Sequence, residues 1–141
     1  MIWNTKVTVQ QLNQSTNNTL IQTLGIEFVE IGKNYITAKM PVNERTVQPH
    51  GSLHGGASVA LAETLGSVAS TLLLYDINRQ FIAGIGINAN HLKRVSSGWV
   101  MAKVTPVRLG NKIHVWQIDI VNEEEESICK AILTTMVIDK S

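Results

Sequence analysis

Hydrophobic and polar positions repeat with two different periods along this chain, and the change of period divides it. From Phe81 onward the period is two. Phe81–Asn90, Trp99–Leu109, Ile113–Val121 and Ser127–Ile138 each read as strands. Their separators, Ser96-Ser97-Gly98, Gly110-Asn111-Lys112 and Asn122-Glu123, are turn-forming. Four long strands joined by short turns predict an antiparallel meander. Ahead of them, Ala57–Tyr75 is one apolar run in which Glu63 is the only charged residue. A segment that is apolar all round predicts a buried helix.

The first quarter is less regular. Thr8–Asn13 has a weak helical pattern, with Val9 and Leu12 apolar. A second short helix is predicted over Thr19–Leu24, closed by Gly25. Ile26–Ile31 and Tyr35–Met40 read as a hairpin about Gly32-Lys33-Asn34, ended by Pro41. Asp76–Gln80 has no helical face and reads as a loop. A helix as apolar as the central one needs a sheet curled around it. The prediction is therefore an α+β fold: a single domain, residues 1–141, with one wrapped antiparallel sheet. Such a sheet leaves an edge and one helix end uncovered, which a dimer joined edge to edge would close.

Composition narrows the function. The chain has 141 residues, 44% hydrophobic and 16% charged, so a sizeable core is within reach. A net charge of +1 excludes a nucleic-acid binder that works through a broad basic field. The start, MIWNTKVTVQQLNQ, lacks the apolar centre of a signal peptide, and no apolar run is long enough for a bilayer. A soluble, cytoplasmic protein is expected. Cys129 is the one cysteine, so no intrachain disulfide is possible, and it reads as a small buried residue. His50, His54, His91 and His114 have no cysteine or second histidine at ligand spacing, and no metal is expected. His114, within a strand, reads as structural. No Gly-Lys-Ser/Thr is present for a nucleotide-hydrolase phosphate loop. Glu123–Glu126 reads as a solvated hairpin tip.

The chemistry concentrates in QPHGSLHGGASVALAETLGSVASTLLLY, residues Gln48–Tyr75. A loop with two histidines and three glycines leads into the helix, and Ser67 stands one turn beyond Glu63 on the same face. A buried carboxylate is seldom placed without a partner or a task.

This segment, the start MIW, the INANHLK stretch and the VWQIDI strand together resemble the hotdog-fold acyl-CoA thioesterases. The resemblance is to the branch acting on aromatic acyl-CoA esters, including 4-hydroxybenzoyl-CoA thioesterases of the Arthrobacter type. Within it the chain is similar to the 1,4-dihydroxy-2-naphthoyl-CoA hydrolases of menaquinone biosynthesis. The likeness implies a hotdog fold and a homotetramer built from two dimers, with each site between two subunits. It implies a catalytic carboxylate at Glu63 and a carbonyl-polarising N–H at Gly55. It also implies site positions at His54, Gln48 and Ser67. The position that is often aromatic after Gln-Pro is His50 here.

A thioester needs a nucleophile and a polarised carbonyl, and its thiolate leaves readily. Free N–H groups at the helix start, with side-chain-free Gly55 and Gly56, suit the carbonyl oxygen. Glu63 could attack to form an anhydride or act as a base on water. Two basic groups could meet the CoA phosphates: Lys93 with Arg94, and Arg108 with Lys112 about Gly110-Asn111. Adjacent meander strands would bring them near one another. The resemblance implies CoA contacts across both segments, at His91, Leu92, Lys93 and Arg94 and at Arg108, Leu109, Gly110, Asn111 and Lys112, and also at Gly84. CoA enters only as part of the substrate, so no cofactor is expected. Two other readings are an acyl-carrier-protein dehydratase of the same fold, whose proline-rich histidine motif is missing, and a non-catalytic acyl-CoA binding module.

Overall fold

The computed structural model describes residues 1–141. In chain order the elements are α1 (Val9–Ser15), α2 (Leu20–Thr23), β1 (Glu27–Ile31), β2 (Ile36–Pro41), α3 (Gly55–Leu72), β3 (Gln80–His91), β4 (Trp99–Leu109), β5 (Ile113–Val121) and β6 (Ser127–Asp139). Element types and order follow the hydrophobic pattern throughout. The main boundary difference is the end of α3, which stops at Leu72 and leaves Tyr75 outside the helix and 91% exposed. No helix is long and apolar enough to cross a membrane.

All six strands form one antiparallel sheet in the order β1-β2-β4-β5-β6-β3. This corrects the predicted meander. Of the four strands after α3, only β4, β5 and β6 lie side by side in chain order; β3 crosses over and pairs with β6 at the far edge. The period-two pattern shows that β3 is a strand but carries no record of its partner. Consecutive strands joined by a loop are neighbours only as a tendency. The seven residues between β3 and β4, Leu92–Gly98, cross instead of turning back.

Helix α3 lies in the curve of this sheet. Leu61, Ala62, Leu65, Ala69 and Leu72 are buried from its inner face against Val104, Trp116, Ile118, Ile120 and Leu133. The outer face is open: Val59, Ala60, Glu63, Thr64, Ser67 and Val68 are only half-buried, and Thr71 is exposed. The helix is thus apolar almost all round but buried on one side. Its residues describe a surface that a single sheet of one chain does not cover.

The N-terminal segment seals the other end of α3. Trp3 is buried and stacks on Trp116 with ring centroids 6.3 Å apart. The N–H groups of Asn4 and Thr5 both donate to the Leu72 carbonyl, and Asn4 Nδ2 donates to the Leu73 carbonyl at 2.6 Å. These carbonyls would otherwise have no partner at a helix end. α1 starts with a reciprocal capping box between Thr8 and Gln11, and Asn13 pairs in both directions with the Phe28 backbone, so the short helix braces β1.

One polar cluster is buried within the core. Ser70 Oγ lies 2.9 Å from His114 Nδ1 and 2.6 Å from Thr135 Oγ1, and accepts from Trp116 Nε1 at 2.7 Å. Burial holds the His114 pKa below the ordinary histidine value, favouring the neutral ring. Its expected structural reading fits this setting. Cys129 is also fully buried, and burial pushes its thiol pKa up, away from reactive thiolate.

Candidate active site

The start of α3 is shaped by its own residues. His54 is the N-cap, with extended backbone angles, and its Nδ1 accepts from the Gly56 N–H at 2.7 Å. Its own N–H donates to Thr46 carbonyl, which ties the helix entry to the loop before it. The cap changes one expectation: of the two glycine donors, the Gly56 N–H is taken. Ala57 and Ser58 donate to the His54 carbonyl. Gly55 alone in the first turn donates to nothing within the chain. A single N–H at the positive end of an 18-residue helix dipole is left for a ligand.

His91, the last residue of β3, packs over this position. A methyl group placed on Gly55 would stand 2.9 Å from His91 Nε2, so only glycine leaves room for both the ring and a ligand oxygen. The open cleft here is about 510 Å³. Gln48, Ser52, Gly55 and His91 line its inner part, and Leu92, Lys93 and Arg94 its mouth. Gln48 is half-buried, and its side chain is held inside its own loop: Nε2 donates to Ser52 Oγ at 2.8 Å and Oε1 accepts from the His50 N–H. His50 itself is exposed.

Glu63 stands elsewhere. It lies eight residues along α3 from Gly55, about 12 Å by the helical rise of ~1.5 Å per residue. Its carboxylate packs on Gly84 of β3, so that a methyl group there would be 2.8 Å from Oε2. It is half-buried and not enclosed, which corrects the reading of Glu63 as a fully buried carboxylate. The open outer face of α3 is the reason. It makes no ion pair and accepts no side-chain hydrogen bond in the chain. Ser67 is one turn away on the same half-buried face, with its hydroxyl unpaired. Glu63 with Ser67 is one group; Gly55, His54, Gln48 and His91 are another. A single chain does not bring the two together.

The two basic groups are also separate. Lys93 and Arg94 follow β3 where His91 pairs with Cys129, which in turn faces Ile120. Arg108 and Leu109 end β4, and Gly110, Asn111 and Lys112 form the turn to β5, beside Ile113. From Ile113 to Ile120 is seven residues of strand, about 23 Å. The expectation that adjacent strands bring them together fails, because β3 pairs with β6 and runs its end to the opposite pole of the sheet. Gly84, expected as a CoA contact, instead faces Glu63.

The arrangement can therefore polarise a carbonyl at one place and offer an unpaired carboxylate at another. The profile of the thioesterase superfamily matches residues 50–129, the stretch holding both Gly55 and Glu63. The chain belongs to that superfamily, has its hotdog fold, and is a thioester hydrolase. A thioesterase structure from Haemophilus influenzae is 49% identical, with a TM-score of 0.95 over 99% of this chain and 96% of that one. The 1,4-dihydroxy-2-naphthoyl-CoA hydrolase of Escherichia coli is 42% identical over 98% of this chain and 100% of its own length. The proofreading thioesterase EntH of Cronobacter turicensis is 43% identical over 97% of this chain and 98% of its own.

Proposed function

We propose that the protein hydrolyses acyl-CoA thioesters to a free acid and CoA, in sites each shared by two copies of the chain. The observation that carries this reading is the pair of unmatched groups. The Gly55 N–H and the Glu63 carboxylate both lack partners, yet lie about 12 Å apart along one helix with its ~1.5 Å rise per residue. β3 is a free edge of 12 residues, and an unpaired edge of that length is a template for another strand. Of the registers open to two antiparallel β3 strands, the one proposed has its twofold at Asn88, which sets Ile87 opposite Ala89. The irregularity between Gly84 and Gly86 takes up one residue, so Gly84 then stands opposite His91. The partner's Glu63, resting on the partner's Gly84, arrives beside His91 and Gly55. The open face of α3 is covered in the same step, and two such dimers make the tetramer.

In that site the thioester oxygen accepts from the Gly55 N–H, and loss of such a donor typically costs ~10²–10³ in rate. The partner's Glu63 either attacks the carbonyl carbon, giving an anhydride that water opens, or removes a proton from water as it attacks. In both routes water adds to the acyl carbon, the C–S bond breaks, and the thiolate is protonated to CoA. Ser67 stands where it can hold the attacking water. His54 fixes the helix start, Gln48 borders the acyl end, and no metal has a part. Lys93 and Arg94, which line the same cleft as Gly55, meet the nucleotide phosphates. The acyl group is aromatic, of the dihydroxynaphthoyl or hydroxybenzoyl kind; similarity to the Escherichia coli hydrolase supports this.

Complementation tests the shared site. Glu63→Gln and Gly55→Ala chains, each inactive alone, are unfolded together and refolded. A mixed dimer restores one intact site of two, so random pairing regains about a quarter of wild-type thiol release. A mixture no more active than its parents refutes the sharing.

A further inference from the structure

The mouth of the cleft carries two cations, and they are not equivalent. Arg94 has no carboxylate partner in the chain, whereas Lys93 Nζ lies 2.8 Å from Glu126 Oε2. The sequence reading treats Glu123–Glu126 as a solvated tip, but Glu126 is held in place. Asn122, buried at 9% exposure, donates from Nδ2 to Glu126 Oε1 at 3.0 Å. The Asn122 side chain also accepts from the Glu126 N–H at 2.9 Å, and the Asn122 N–H donates to the Glu126 carbonyl at 3.0 Å. One carboxylate oxygen is thus fixed by the amide and the other is presented to Lys93. The Leu92 N–H donates to Ile128 carbonyl at 2.7 Å, so the segment bearing the lysine is pinned to the strand that starts directly after the glutamate.

We propose that Glu126 is a built-in competitor of the substrate's phosphates: it occupies Lys93 in the empty cleft and must yield that lysine when the nucleotide tail binds. This rests on the reading of the cleft mouth as a phosphate site. Glu126 touches neither the thioester nor the reacting groups; it sets the affinity for the nucleotide tail. The same carboxylate retakes Lys93 as CoA departs, which favours release of product. Hydrogen bonding by Lys93, then by Asn122, holds the Glu126 pKa below the usual carboxylate range, so the competitor is charged across the physiological range. Glu124 adds only a distant charge effect on Lys93, and serves as a control.

The experiment compares Glu126→Gln, Glu124→Gln, Lys93→Ala and Arg94→Ala in the full oligomer. Substrates are benzoyl-CoA and benzoyl-pantetheine, which lacks the nucleotide phosphates. Glu126→Gln keeps the acceptor for Asn122 and removes the charge. KM for benzoyl-CoA should fall by up to about fivefold, the small effect expected of a solvent-screened ion pair. The inhibition constant of free CoA should fall by the same factor. KM for benzoyl-pantetheine should not move, and the difference should fade in 0.5 M salt. Glu124→Gln should have a smaller effect. An unchanged or raised KM in Glu126→Gln, while Lys93→Ala raises KM, overturns the competitor and leaves the phosphate site standing. If Lys93→Ala and Arg94→Ala both leave KM for benzoyl-CoA unchanged, the phosphate site itself falls, and the competitor with it.

Discussion

Gly84→Ala separates activity from stability in a way the structure quantifies. The added methyl would stand 2.8 Å from Glu63 Oε2, and ordinary contact begins at 3.4 Å, so the carboxylate must retreat by about 0.6 Å. That oxygen is the far end of a flexible side chain, and moving it costs little. The Gly84 backbone does not have a positive φ, so alanine fits it without strain. Alanine in a strand is favoured over glycine by roughly 0.5–1 kcal/mol, so Tm should stay level or rise. Turnover should not. A misplacement of ~1 Å in reacting geometry can cost ~10²-fold, which puts the expected loss of kcat at about 10- to 100-fold. Gly86→Ala is the internal control, because a methyl there meets nothing within 4 Å. The assay is thiol release from benzoyl-CoA beside a thermal melt of each variant. A Gly84→Ala enzyme that keeps more than half of the wild-type kcat would refute the placement of Glu63 as the working carboxylate.

Glu63→Gln should lower kcat by ~10²–10⁴ with the circular dichroism spectrum unchanged. Asn88→Pro, on the free edge of β3, should yield monomers by sedimentation and lose activity with them; active monomers would contradict the shared site. Ser70→Ala leaves Trp116, Thr135 and His114 without their common partner, and should lower stability by ~1–3 kcal/mol in denaturant titration. The folded pKa of His114 lies below its unfolded value, so the unfolded chain binds more protons in acid. Stability should therefore fall as pH drops below the unfolded histidine value near ~6.5. The slope of Tm against pH in that window should flatten in His114→Gln, and an unchanged slope would assign the acid sensitivity to other groups.

Much of the fold was legible because hydrophobic period reports local geometry directly. Each strand from β3 to β6 is marked by its alternation, and α3 by its unbroken apolar run. What period does not report is which strand lies beside which. β3 looks like the first member of a meander, and nothing in Gln80–His91 says that its partner is β6. The position of the cationic groups failed with it. The candidate site was legible residue by residue and not as a geometry. Glu63, Gly55 and His54 stand out by type and spacing. The separation of Glu63 from Gly55 by two helical turns was legible too, but its consequence depends on the open face of α3. An apolar residue covered by its own sheet and one awaiting another chain have the same letter. His54 taking the Gly56 N–H was signalled by a histidine directly before the helix start, although histidine is not among the usual capping types. The role of Gly84 and the Lys93–Glu126 pair were hidden, since both depend on contacts between distant strands.

The way the N-terminal segment closes α3 bears on how the chain is made. Asn4 and Leu73 are 69 residues apart in sequence, yet their hydrogen bond completes the last turn of the helix. On the ribosome, at ~5–20 residues per second, residues 2–5 wait several seconds for that turn to emerge. Trp3 waits longer still, because Trp116, on which it stacks, comes later than the helix. Until then the Trp3 indole lacks the Trp116 ring on which it stacks. Loop closure over such a span is slow compared with forming the α3 turns themselves. The seal is therefore a late event in folding.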